Sequence, residues 1–211
     1  MAFLKNKLQK TKKHQKMHKI EPYYNWRDDY KAEEDEHSPF YGREYSEFQY
    51  SKKIYNYFIH PQWDDFESET LHIKILFADY ENEFAIIEFL GEWNDCIQCD
   101  ILSLKSKVLN ILMQKGIYKF ILIGENILNF YAEDSCYYEE WFEELQDEDG
   151  WVVALNFRPH VIEEMKSIYL DEYIFMSEKI NFLDWRTFKP KYLFSTIEKY
   201  LYFSASQTLL T

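Results

Sequence analysis

Apolar and polar residues alternate through Leu71, His72, Ile73, Lys74, Ile75 and Phe77, a period of two that predicts a half-buried strand. The polar stretch Asp79–Glu83 then turns the chain into Phe84–Leu90. There Ala85, Ile86 and Ile87 are contiguous, as in a strand covered on both faces. From about Asp100 the period changes, with Ile101, Leu104, Val108 and Leu112 three or four residues apart, the stripe of an amphipathic helix. Gly116 is placed to end that helix. Tyr118–Ile123 predicts a third strand closed by Gly124, Glu133 to Asp149 a short acidic helix, and Trp151–Phe157 a fourth strand. Pro159 opens a helix through about Ser167, and a short strand follows near Tyr173–Met176. Pro190 starts a terminal helix through Tyr200, with Leu193, Phe194, Ile197 and Leu201 facing inward. Strands and helices in this order form an α/β domain: a mixed sheet with one hairpin, covered by helices.

The first 65 residues carry no sustained period. Residues 1–20 form a lysine-rich arm suited to a weakly amphipathic helix; residues 21–65 form an extended segment punctuated by Pro22, Pro39 and Pro61. That segment is too aromatic for a solvated linker, since residues such as Tyr23, Trp26, Tyr30, Phe40 and Phe48 are costly to leave in water. It is expected to wrap the main domain or a partner. The domain itself is set at residues 66–204, with a tail at 205–211.

Charge adds a second asymmetry. The chain holds 24 Lys and Arg against 37 Asp and Glu, a net of −13 over 211 residues. Seven lysines, Lys5, Lys7, Lys10, Lys12, Lys13, Lys16 and Lys19, lie in the first nineteen residues with no acid among them. The remainder carries 17 positive and 37 negative charges, a net of −20. A body that acidic repels nucleic acid and anionic lipid, so either would be held only by the arm. Such a body suggests basic protein partners, or simply high solubility.

Only 5 glycines occur and none are clustered, which argues against a phosphate-wrapping loop of the Walker or GxGxxG kind. Three cysteines are too few, and odd in number, for a disulfide framework. No secretory apolar run appears near the start and no run is long enough to span a membrane, so a cytoplasmic protein is expected.

The run Ala85-Ile86-Ile87-Glu88-Phe89-Leu90-Gly91-Glu92, followed shortly by a helix, resembles the opening of a STAS domain, the anti-sigma-factor-antagonist fold. Gly91-Glu92-Trp93-Asn94-Asp95 stands where that family has Gly-Glu-Leu-Asp. The likeness continues through Phe120–Ile123, the pair Asp134-Ser135 before a helix, and Gly150–Phe157 with the Pro159 helix behind it, covering roughly residues 70–200. It implies a STAS-like mixed sheet and a docking module without catalysis, switched by phosphorylation at the start of the helix after the third strand. Ser135 is the residue so placed, although Asp134-Ser135-Cys136-Tyr137 lacks the glycine of the family's Asp-Ser-Ser-Gly. Phosphate there would meet Glu139, Glu140, Glu143 and Glu144, and a plain surface serine is the competing reading. The chain is also similar to bacterial proteins with an aromatic, acidic N-terminal segment.

Cys96-Ile97-Gln98-Cys99 lies between a strand and a helix, where a helix N-terminus favours a thiolate. A thioredoxin-like site also needs a cis-proline before a later strand, whereas Pro159 and Pro190 each open a helix. Structural cysteines are therefore preferred to a redox pair. No metal site is expected: a single CxxC lacks a second pair of ligands, His14 and His18 sit among lysines, and His60, His72 and His160 read as scattered surface positions. No cofactor motif is present. The acidic run from Glu133 to Asp149, interleaved with Tyr137, Tyr138, Trp141 and Phe142, reads as either a solvated helix face or an acidic docking surface.

The leading expectation is a protein-interaction module whose surface comprises Asp134, Ser135, Tyr137, Tyr138 and Trp141. One alternative is an accessory protein tethered by its basic arm to ribosome, nucleic acid or anionic membrane. Another is thiol redox chemistry at Cys96 and Cys99.

Overall fold

The computed structural model describes residues 16–17, 20–46 and 48–208. Its centre is a four-stranded mixed sheet. Strand β4 (Leu71–Asp79) runs antiparallel to β5 (Phe84–Asn94), which is parallel to β6 (Lys119–Tyr131), itself parallel to β7 (Trp151–Leu155). This is the mixed α/β sheet with one hairpin that the strand and helix pattern predicts. Three short strands, β1 (Lys16–Met17), β2 (Lys53–Ile54) and β3 (Tyr57–Phe58), pair as a separate small sheet. Of the arm, Lys16 and Met17 lie in a strand parallel to β3 and not in a helix; residues 1–15, 18 and 19 lie outside the described residues.

One face of the sheet is covered by a helical run and two further helices. The run comprises α1 (Asp100–Leu104), a π-helical turn at Lys105–Leu109 and α2 (Asn110–Met113). Helices α3 (Cys136–Gln146) and α4 (Pro159–Ser167) follow. Ala85, Ile87 and Phe89 of β5 pack here against the predicted stripe Ile101, Leu104, Val108 and Leu112, with Trp141 of α3 and Met165 of α4. On the opposite face Ile86, Ile121, Val153 and Leu155 meet α6 (Pro190–Thr208) through Leu193, Phe194 and Ile197, together with Trp185 and Trp26. A short α5 (Glu178–Asn181) completes the helices among the described residues, and α6 continues to Thr208, beyond residue 204.

Burying β5 on both faces explains its contiguous apolar run. Strand β4 is also buried throughout, not half-buried as its alternation predicts. The reason lies in the aromatic segment before it. Trp26 belongs to the core on one face, Ala32 and Phe40 to the core on the other, so the segment passes around the β4 edge. Paired backbone bonds between Asp64 and Ile73 (2.7 and 3.0 Å) then shield that edge. The cover brings its own polar groups: Lys74 lies 3.3 Å from Asp64 and 3.5 Å from Glu33. Not every aromatic of the segment is buried, since Tyr24, Tyr41 and Phe48 remain exposed. A bulge between Ile75 and Phe77 moves Phe77 to the α6 face, away from Ile73 and Ile75.

Two element boundaries also differ from expectation. Strand β6 passes through Gly124 and continues to Tyr131, because its second half pairs with Leu90–Asn94. The strand expected at Tyr173–Met176 reduces to one bridge, Phe175 against Val153. Gly91 sits at a register shift with φ +124°, and a Cβ there would collide with the Thr70 carbonyl that accepts the Glu92 N–H. The glycine of the Gly-Glu pair is thus required by backbone geometry.

Candidate functional site

Helix α3 begins where β6 ends. Asp134 starts it by accepting the Cys136 N–H at 3.1 Å, and the Ser135 carbonyl accepts the N–H groups of Tyr138 (2.9 Å) and Glu139 (3.0 Å). The Ser135 side chain makes no capping bond and is partly exposed. Lying three and four residues apart, Tyr138, Trp141 and Leu145 turn inward and are buried, the first two only 1% exposed. Tyr138 and Trp141 are therefore core residues and leave the expected interaction surface. A helix with carboxylates on one side and aromatics on the other has the pattern of a hot spot and of a buried face alike, and burial decides for the second. Asp134, Ser135 and Tyr137 remain accessible, with Tyr137 37% exposed.

Beneath the start of α3 lies a half-buried carboxylate whose role was not legible in the residue pattern. Asp95 accepts hydrogen bonds from Tyr138 Oη at 2.5 Å, the Ile101 N–H at 2.7 Å and Trp93 Nε1 at 3.2 Å. Asp100 reciprocates by accepting the Asn94 N–H at 2.7 Å, so the two aspartates close the loop between β5 and α1. Burial, offset only in part by these donors, raises the Asp95 pKa to about 6, and burial raises that of Asp100 as well. The signal for such a pair was present in the sequence as aspartates immediately before and at the start of a predicted helix.

A cleft of about 190 Å³ opens beside this pair, lined by Asp95, Cys96, Cys99, Glu133, Asp134 and Tyr137. It brings the CxxC and the Asp134 corner together. The thiols are not activated there: burial raises the pKa of both Cys96 and Cys99, and the nearby Asp95 carboxylate adds to it. That is the reverse of the electropositive setting that produces a reactive thiolate. Among the described residues no group of three or more His, Cys, Asp or Glu side chains is arranged to hold a metal ion. His60 and His72 are buried rather than at the surface, and burial holds the His72 pKa down at about 4.

The outward side of α3 is strongly acidic. Lys105, buried in the π-helical turn, reaches across to Glu140 (2.6 Å) and Glu144 (2.9 Å) and ties the two elements together. Glu139, Glu143, Asp147, Glu148 and Asp149 are exposed and form no ion pair among the described residues. Of the arm lysines, only Lys16 falls within the described residues, in β1; Lys5, Lys7, Lys10, Lys12, Lys13 and Lys19 lie outside them, as do His14 and His18. No helix among the described residues is long and apolar enough to cross a membrane.

The fold has a weak likeness to the anti-sigma-factor antagonists of the STAS type. Unphosphorylated SpoIIAA, an anti-sigma factor antagonist, superimposes with a TM-score of 0.40 and 16% identity, over 51% of this chain and 90% of its own. The Bacillus cell fate determinant SpoIIAA in its phosphorylated form gives 0.35 and 16%, over 51% and 93%. No protein-family model matches the sequence, and no curated protein matches it.

Proposed function

We propose that this chain is a non-enzymatic regulatory module that docks a protein partner with a basic surface, through the outward face of α3 and the Asp134, Ser135 and Tyr137 corner at its start. The observation that carries this reading is the set of unpaired carboxylates on one side of a helix whose other side is locked into the core. Unpaired like charges cost the isolated domain stability, and a cationic partner would relieve that cost. Tyr137 offers an exposed aromatic anchor beside those charges. Ser135 is the modification candidate within this reading: it is partly exposed and stands at the amide end of α3.

The test is site-specific photo-crosslinking in the full chain. Benzoylphenylalanine replaces Tyr137 in one protein and the exposed Tyr192 of α6 in another. Defined protein adducts from Tyr137 that fade at high salt, with none from Tyr192, are the expected result. Equal or absent adducts at the two positions would remove the reading.

A further inference from the structure

The far end of α3 borders a second and larger depression. A groove of about 710 Å³ lies on the β7 side of the sheet, between the end of α3, β7, the Asp171–Phe175 segment and the last turns of α6. Phe142, Trp151, Tyr173, Phe175, Leu201 and Tyr202 are among its lining residues. These rings are only partly covered: Tyr202 is 66% exposed, and Phe142 and Tyr173 meet edge-on to tilted at 5.7 Å. Three carboxylates, Asp149, Asp171 and Glu172, stand on the rim, all exposed and without an ion pair among the described residues. No lysine or arginine is among the described lining residues. The groove is also continuous with the acidic helix face, since Glu139, Phe142 and Gln146 fall at i, i+3 and i+7 along α3.

We infer that this groove is the anchoring site for a lysine-rich segment of the partner, taking one apolar side chain between Phe142, Tyr173 and Tyr202 while the flanking lysines meet Asp149, Asp171 and Glu172. The inference rests on the docking reading above and adds where the partner is anchored. Charge complementarity selects the occupant. An apolar floor alone would accept any apolar segment, but an uncompensated acidic rim on a body of net charge −20 repels acidic and neutralises basic ones. The volume lies within the range of sites that enclose a side chain and its neighbours.

Fluorescence anisotropy with the full chain tests it, using a labelled peptide of six lysines around a central leucine and the same peptide with glycine at the centre. Binding of the leucine peptide should weaken at least tenfold in Asp171→Lys/Glu172→Lys, and severalfold in Tyr202→Ala or with the glycine peptide. Glu139→Lys/Glu143→Lys should retain most of it. Equal binding of both peptides, or no effect of rim reversal, overturns the groove. If only the α3 reversal abolishes binding, docking through the helix face stands and the groove falls; if neither reversal matters, both fall. Carbodiimide cross-links from Lys5–Lys13 to Asp171 or Glu172 in the untreated chain would make the occupant its own arm, and a dimer dispersed by rim reversal would make it a second copy. Either result overturns the assignment to a partner.

Discussion

On its inner side α3 sets Tyr138, Trp141 and Leu145 into the core and hangs Tyr138 from the half-buried Asp95; on its outer side Glu140 and Glu144 are tied to Lys105, while Glu139 and Glu143 form no ion pair among the described residues. The two sides belong to the same eleven residues and are built for different ends. Side chains on the inner side have their partners within the domain, so their loss is paid in folding free energy. Those outside interact with one another unfavourably, so their loss should leave the fold untouched. Aromatic content alone does not tell a core from a binding surface; the phase of the helix does.

The largest effect should come from the inner side. Trp141→Ala empties a fully buried ring site and should cost about 3–5 kcal/mol in urea unfolding. A cost below about 1 kcal/mol would mean that this side is not core. Next comes the pH dependence. The Asp95 pKa is raised from 3.8 to about 6 and that of Glu88, buried in β5, from 4.5 to about 8, in both cases mainly by burial. Raised acids favour the fold while protonated, so the stability these two groups contribute is fullest below about pH 4 and declines as the unfolded chain ionises first. The decline should run at about 1.4 kcal/mol per pH unit for each group. Asp95→Asn should flatten the window up to about pH 6 and Glu88→Gln the window up to about pH 8, both read from urea midpoints across pH. Glu88 accepts the Tyr23 N–H at 2.8 Å and an Asn126 amide bond at 3.3 Å, with the Glu125–Arg186 ion pair alongside. A midpoint that rises with pH through these windows would contradict the assignments.

Smaller again is Tyr138→Phe, which leaves the ring and removes its bond to Asp95. It should cost about 1–3 kcal/mol, less than Trp141→Ala. The smallest expected change is on the outer side. Glu139→Lys/Glu143→Lys should shift unfolding by no more than about 0.5 kcal/mol. A loss comparable to Tyr138→Phe would erase the distinction between the two sides.

Much of the sheet was legible because its signal is local. The alternation at Leu71–Ile75, the contiguous run at Ala85–Ile87 and the stripe from Ile101 to Leu112 each specify an element from neighbouring residues. What escaped depends on pairing across long distances. Nothing near Gly124 announces that β6 continues, because its second half is held by Leu90–Asn94. Lys74 and His72 read as a wet face until the segment from Trp26 to Asp64 covers them. At the site, Asp134, Ser135 and the acidic run were legible as residue types in order. Asp95 was not, since its importance comes from Tyr138, 43 residues away, and from a loop that turns back to offer the Ile101 amide. Lys105 escaped likewise, one lysine among several until Glu140 and Glu144 meet it across two helices.

The central claim is that the outward face of α3 holds a protein partner, and the most direct measurement compares capture by two folded proteins. Full-length wild type and Glu139→Lys/Glu143→Lys, shown to unfold at the same urea concentration, are used as bait in nuclease-treated native lysate, with bound proteins quantified by mass spectrometry. The account predicts a discrete set of basic proteins retained by the wild type and reduced at least tenfold by the variant. Equal recovery of the same proteins by both would contradict it.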